Sequence, residues 1–127
     1  MSVLDDIARG QYVSLTSFRR DGTPVATPVW HVVYDGEVVI VSEERAWKVK
    51  RIRNNPRVTL TVCDLRGRIK PGAATAEGSA RLLDEAGTAT AREHLRRKYV
   101  TARIGYFFQR LLRLRRPPGI GIAVTLG

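Results

Sequence analysis

A single cysteine, Cys63, excludes an internal disulfide. His31 and His94 are the only histidines, so a structural zinc site lacks its ligands as well. Acids are scarce: 12 Asp and Glu stand against 22 Lys and Arg, a net charge of +10. That excess implies anionic partners, which are nucleic acid, a membrane surface or a polyanionic small molecule. No run is long and apolar enough to cross a bilayer. Met1-Ser2-Val3-Leu4-Asp5-Asp6 has acids where a secretory signal carries cations and an apolar stretch, so the expected location is cytoplasmic. Internal repeats and linkers are also missing. With 127 residues, 43% of them hydrophobic, the chain is expected to form one domain, 1–127, with a real core.

What is present reads mostly as strands. Residues 2–8 suit a short helix, with Ser2 and Asp5 as an approximate capping box. Tyr12 to Phe18 is β-branched, aromatic and partly alternating, hence a strand. A turn at Arg19-Arg20-Asp21-Gly22 leads to a second strand, Pro24 to Tyr34, in which Pro28 implies an edge, a bulge or a change of sheet. Asp35-Gly36 is a hairpin signal, and Glu37 to Val41 is the third strand. Val58 to Asp64 and Ala73 to Leu83 follow, the latter with a bulge expected at Gly78. A helix capped by Asp84 runs to about Tyr99, a second helical segment spans 103–116, and Ile120 to Leu126 is the last strand. The sum is a mainly β (α+β) chain: a six-stranded antiparallel barrel with flanking helices, a closed form that disposes of sheet edges.

One short helix stands out between the third and fourth strands. Ser42 suits its N-cap, Glu43 and Glu44 its first turn, and Asn54-Asn55-Pro56 its end. Val49 and Ile52 can face a core, while Lys48 and Arg51 share a face with Lys50 and Arg53 beside it. A charge run on a short helix is commonly a solvated face. Beside a sheet, it also suits an anionic group, most simply a phosphate.

The order of these motifs resembles the pyridoxamine-phosphate-oxidase-like split β-barrel family. The matching residues are the Arg20-Asp21-Gly22-Thr23-Pro24 turn, Ala26-Thr27-Pro28-Val29-Trp30, the Asp-Gly hairpin and Lys48 to Val58. The likeness continues through Cys63 to Arg68, Glu77 to Leu83, Leu95 to Tyr99 and Ile120 to Ile122, and is strongest to the branch that uses the deazaflavin coenzyme F420. The resemblance implies a homodimer of FMN-binding-type split barrels, with a flavin or deazaflavin in each of two grooves between the copies. By position, Ser42 and Lys48 would contact the cofactor phosphate with Lys50 or Arg51 close by. Thr27, Pro28, Val29 and Trp30 would line the ring system, and Cys63 and Asp64 would approach from the next strand, from either copy. Two places depart from the family pattern. Ala46 stands where many relatives have Arg, so either Arg45 substitutes or that contact is lost. Trp47 stands where relatives often have a small residue, and an indole there can stack on the cofactor or close the groove.

The implied activity is hydride transfer from reduced F420 to an activated double bond of a small or lipophilic acceptor, of the enone, quinone or tetrapyrrole type. The cofactor carries that chemistry, so the lack of a nucleophile–base set or a carboxylate pair is no objection. A proton could come from water, Tyr12, Tyr34 or His31. Cys63 reads as a small buried residue. The cations Arg45, Lys48, Lys50, Arg51, Arg53, Arg66, Arg68 and Lys70 suit the oligoglutamate tail of F420, longer and more anionic than the single phosphate of FMN, and would also suit FAD or a nonspecific polyanion; FMN or FAD is the alternative cofactor. Segment 103–116 is amphipathic and basic. Its apolar stripe either packs on the barrel or lies on an anionic membrane surface. Nucleic acid is supported by charge alone, without a recognition motif. The alternatives to a reductase are a non-catalytic F420 or flavin carrier and a basic membrane- or polyanion-binding module.

Overall fold

The computed structural model describes residues 2–100 and 119–127; the basic segment expected over 103–116 lies outside them. Among the described residues, three helices, α1 (Val3–Arg9), α2 (Trp47–Asn54) and α3 (Glu85–Val100), flank seven strands. The strands are β1 (Tyr12–Phe18), β2 (Pro24–Val29), β3 (Val32–Tyr34), β4 (Glu37–Glu43), β5 (Arg57–Cys63), β6 (Thr75–Leu82) and β7 (Gly119–Leu126). All pair antiparallel in one sheet of order β2-β1-β5-β6-β7-β4-β3. The two edge strands, β2 and β3, are consecutive in the chain and separated only by Trp30 and His31. The sheet must therefore curl until its edges nearly meet, which is the split-barrel form.

The strand expected over residues 24–34 is thus two, and the count is seven rather than six. The break has a cause. His31 N–H donates to the Tyr99 hydroxyl at 3.0 Å, so its backbone is satisfied by α3 and not by a neighbouring strand. Pro28 lies on β2, an edge strand, where its missing N–H costs nothing to the ladder.

Alternation sorts the apolar residues into two layers. Val13 and Leu15 of β1, Val38 and Ile40 of β4, Leu60 of β5 and Ile122 and Val124 of β7 fill the barrel interior with Ile7, Val49 and Ile52 from α1 and α2. Val39 and Ala123 face the other way and pack with Ala91, Leu95 and Tyr99 of α3. The unbroken run Val38-Val39-Ile40-Val41 is explained by this: β4 is covered on both faces.

The local signals at α1 and the hairpin hold. Asp5 N–H donates to Ser2 Oγ at 3.1 Å in a complete capping box, and Asp35 and Gly36 both take positive φ, 53° and 74°, as a tight two-residue turn needs. Two expectations fail. Ser42 and Glu43 belong to β4, paired with Ile120 and Gly119 of β7, so α2 starts at Trp47 behind Ala46 with no side-chain cap and no acid in its first turn. Gly78 is not a bulge either: register runs unbroken through it on both sides, and it is glycine because β7 passes too close for a side chain.

Candidate functional site

The cationic helix α2 lies beside the β1–β2 hairpin. Buried Val49 and Ile52 pin it to the barrel, which turns Lys48 and Arg51 toward the end of β1. Between them opens a cleft of about 1050 Å³. Its apolar wall is Phe18, Val25, Ala46 and Trp47, and Thr27 of β2 reaches it from the sheet. Its charged wall is Arg19 and Arg20 from the hairpin with Lys48, Lys50, Arg51 and Arg53 from α2. The lining contains no carboxylate. Among the described residues none of these six cations is in an ion pair.

The electrostatics follow from that crowding. Lys48 is half-buried, and burial first, then the nearby Arg51 guanidinium, hold its pKa below the usual lysine value against a weaker opposing pull from Glu43. Burial and then Arg19 lower Arg51 in the same way. Arg51 is held in place because its Nε–H donates to Ser17 Oγ at 2.7 Å, and Ser17 is itself buried. Such a positively loaded, partly desolvated cleft gains most from an anion.

The sequence-predicted residues divide. Thr27, Trp47, Lys48, Lys50 and Arg51 come together in the cleft. Ser42 is buried in β4, and its hydroxyl donates to the carbonyl of Glu43 at 3.2 Å. Arg45 is exposed and outside the lining. Pro28 is exposed on β2, Val29 packs on the barrel interior, and Trp30 belongs to the outer layer, stacked on Tyr99 with centroids 4.2 Å apart. Cys63 and Asp64 line a second cleft of about 640 Å³ with Asp6, Arg68 and Lys70. Burial raises the Cys63 thiol, so it is protonated at neutral pH. Asp64 accepts N–H donation from Arg66 and Arg68 at 2.9 Å each and is held low mainly by that. The second cleft lies at the Cys63 end of β5, and its lining shares no residue with the cationic cleft.

None of the three proton-source candidates reaches the cationic cleft. Tyr12 and His31 are buried, and Tyr34 stacks on His94 with centroids 3.8 Å apart. Conversely, Arg19 and Arg20 were legible only as a turn. Their one signal was charge at the end of a strand that a helix could overlie. No group of three or more His, Cys, Asp or Glu that could hold a metal occurs among the described residues, and no described helix is long and apolar enough to cross a membrane.

Comparison with known proteins places this architecture. The family model for pyridoxamine 5'-phosphate oxidase matches residues 3–115. The chain belongs to that family. Solved structures agree on the fold. A conserved hypothetical protein of Mycobacterium tuberculosis superposes with a TM-score of 0.75 at 18% identity, over 99% of this chain and 81% of its own. A protein described as an F420 reductase gives 0.66 at 20% identity, over 97% and 91%. A FAD-binding protein from Mesorhizobium loti gives 0.65 at 16% identity, over 100% and 91%. No curated protein matches the chain. At such identities the structural likeness establishes the fold and leaves the ligand to be argued from this family member's own residues.

Proposed function

We propose that this protein binds coenzyme F420 in the cationic cleft and is an F420-dependent oxidoreductase that reduces an activated double bond of a small or lipophilic acceptor. One observation carries the reading: six cations converge on one cleft without a carboxylate to neutralise them. That fits a phosphate with further acidic groups attached, as in the phospholactyl-oligoglutamate part of F420. FMN, with one phosphate, uses fewer of the six, and FAD is the nearer alternative. Lys48 and Arg51 hold the phosphate, and Arg19, Arg20, Lys50 and Arg53 receive the acidic tail. Thr27 and Phe18 bound the space for the ring. The hydride and its electron pair are supplied by the reduced deazaflavin when it is bound; the protein orients it, sets the field and excludes water.

The reading extends to a homodimer. Cys63, Asp64, Arg68 and Lys70 line a separate cleft at the Cys63 end of β5 and are not part of the cationic lining of their own chain. A second copy can bring them there and close a cleft that is open in one chain. Equilibrium sedimentation with and without F420 tests this, and a monomer in both conditions counts against it.

A carrier without turnover is the second reading, favoured by the lack of any carboxylate, histidine or tyrosine among the described residues of the cleft lining. The two part on whether reduced F420 is consumed with a panel of enone, quinone and tetrapyrrole acceptors. The membrane reading concerns 103–116, outside the described residues.

Lys48→Ala should weaken F420 binding about 10- to 100-fold, the worth of one charge-assisted contact to phosphate. Fluorescence titration with F420, FMN and FAD measures it. Unchanged affinity in the variant would remove Lys48, and the cleft with it, from the site.

A further inference from the structure

Trp47 is the large exposed apolar residue of the cleft, which the charge argument does not use. It is 70% exposed, belongs to neither apolar layer, and opens α2, where alanine is a better helix former. A lone exposed apolar residue needs no explanation. Trp47 differs because it is placed: it lines the cationic cleft, and Lys50 Nζ sits 4.4 Å from its ring centroid. A cation at that distance is attracted to the ring quadrupole, so the indole is partly ordered before any ligand arrives.

The chemistry of an indole narrows what it can recognise. Its face is electron-rich and repels a bare anion, so a ringless polyanion gains nothing from Trp47. A planar, electron-poor heteroaromatic gains by stacking on it, at low entropic expense because the indole has only two side-chain torsions. Thr27 lines the same cleft, whereas Trp30, the other tryptophan, is committed to Tyr99 in the outer layer. Among the described residues, the ring-binding surface of the cleft is therefore Trp47 with Phe18 and Thr27, and Trp47 is the most exposed large apolar face among them.

We propose that Trp47 is the stacking platform that makes the cleft select an anion carrying a planar, electron-poor ring over a ringless polyanion, with Lys50 leaving the indole for the ligand's acidic groups. This rests on the reading of the cleft as a deazaflavin site, and it deepens that reading by naming the specificity determinant.

The experiment titrates wild type, Trp47→Leu and Trp47→Phe with F420, FMN, FAD and the ringless control tripolyphosphate. Affinity and intrinsic tryptophan emission are followed, the stacked Trp30 serving as the constant background. Trp47 is exposed, so both variants fold. F420 should quench the Trp47 emission. Trp47→Leu should lose about tenfold or more in F420 affinity, in the range of ring–aromatic stacking, with tripolyphosphate binding changed less than about twofold. Trp47→Phe should recover most of the loss. F420 binding equally well to wild type and Trp47→Leu overturns the platform and leaves the deazaflavin reading standing. Trp47-dependent binding of FMN or FAD without F420 supports the platform and overturns F420. Failure of all three ring-bearing ligands to bind overturns both.

Discussion

Gly78→Ala should destabilise the protein by about 3 kcal/mol, at or beyond the upper end of ordinary overpacking. The position is buried in β6, between β5 and β7. A Cβ there would lie 2.7 Å from the carbonyl oxygen of Thr125 and 2.7 Å from Val124 Cγ1. The oxygen belongs to the backbone of β7, so relief requires moving a strand that pairs with both β4 and β6. Gly121→Ala is the informative contrast. Its Cβ would also approach an atom at 2.7 Å, but that atom is Leu83 Cδ1, the end of a side chain that can rotate away, which leaves Leu83 Cβ at 3.2 Å as a tight but smaller contact. A loss of about 1 kcal/mol is expected there. Urea midpoints for both variants measure the difference. Equal losses would mean that β7 yields as easily as a leucine side chain, and that the β6–β7 seam is looser than its register implies.

The same seam shows why part of the fold was legible in the sequence and part was not. Signals that act within a few residues came through. Ser2 and Asp5 cap α1, Asp35-Gly36 turns the hairpin, and Asn54-Asn55-Pro56 stops α2. Signals that lost had a distant competitor. Ser42-Glu43-Glu44 has the chemistry of a helix start, yet Ser42 and Glu43 extend β4 because β7, nearly eighty residues on, offers them partners. Gly78 looked like a bulge because nothing in its neighbourhood announces that residues 124–125 press on it.

The site divides along the same line. The cations of α2 were legible as a cluster because helical spacing gathers them locally. That Arg19 and Arg20 join them depends on β1 ending beside α2, which is a matter of sheet order. Trp30, placed at the ring by analogy, is instead drawn to Tyr99, and Cys63 and Asp64 line a separate cleft. A family motif carries the strand on which a residue sits more securely than the direction in which it is used.

Acid should unfold this protein early, and His31 is the reason. The imidazole is fully buried where β2 gives way to β3. Its Nε2 lies 2.6 Å from the carbonyl oxygen of Ile7, which only accepts, so Nε2 carries the proton and donates. Nδ1 has no hydrogen-bond partner among the described residues. Lys98 Nζ lies 3.5 Å from Nε2, and both are donors, so that approach is a like-charge threat rather than a bond. Lys98 is fixed there by donating to the carbonyls of Gly10 and His31, at 3.0 and 2.9 Å. Burial first, and Lys98 second, lower the His31 pKa from 6.5 to about 4, against a smaller upward pull from the Ile7 carbonyl. Between those two pH values the unfolded chain binds the proton and the folded one does not. Stability from this residue is thus complete above pH 6.5, declines as pH falls, and is gone below 4. Its full size is about 3 kcal/mol. His31→Gln keeps a donor for Ile7 and removes the titration. It should be less stable than wild type at pH 7 yet lose less on acidification, so the urea midpoints of the two proteins converge between pH 6.5 and 4. Carboxylates titrate in both and cancel in the difference. Parallel curves over that range, or a His31 ring resonance titrating near 6.5 in the folded state, would show that the imidazole is not closed off from protons as its burial implies.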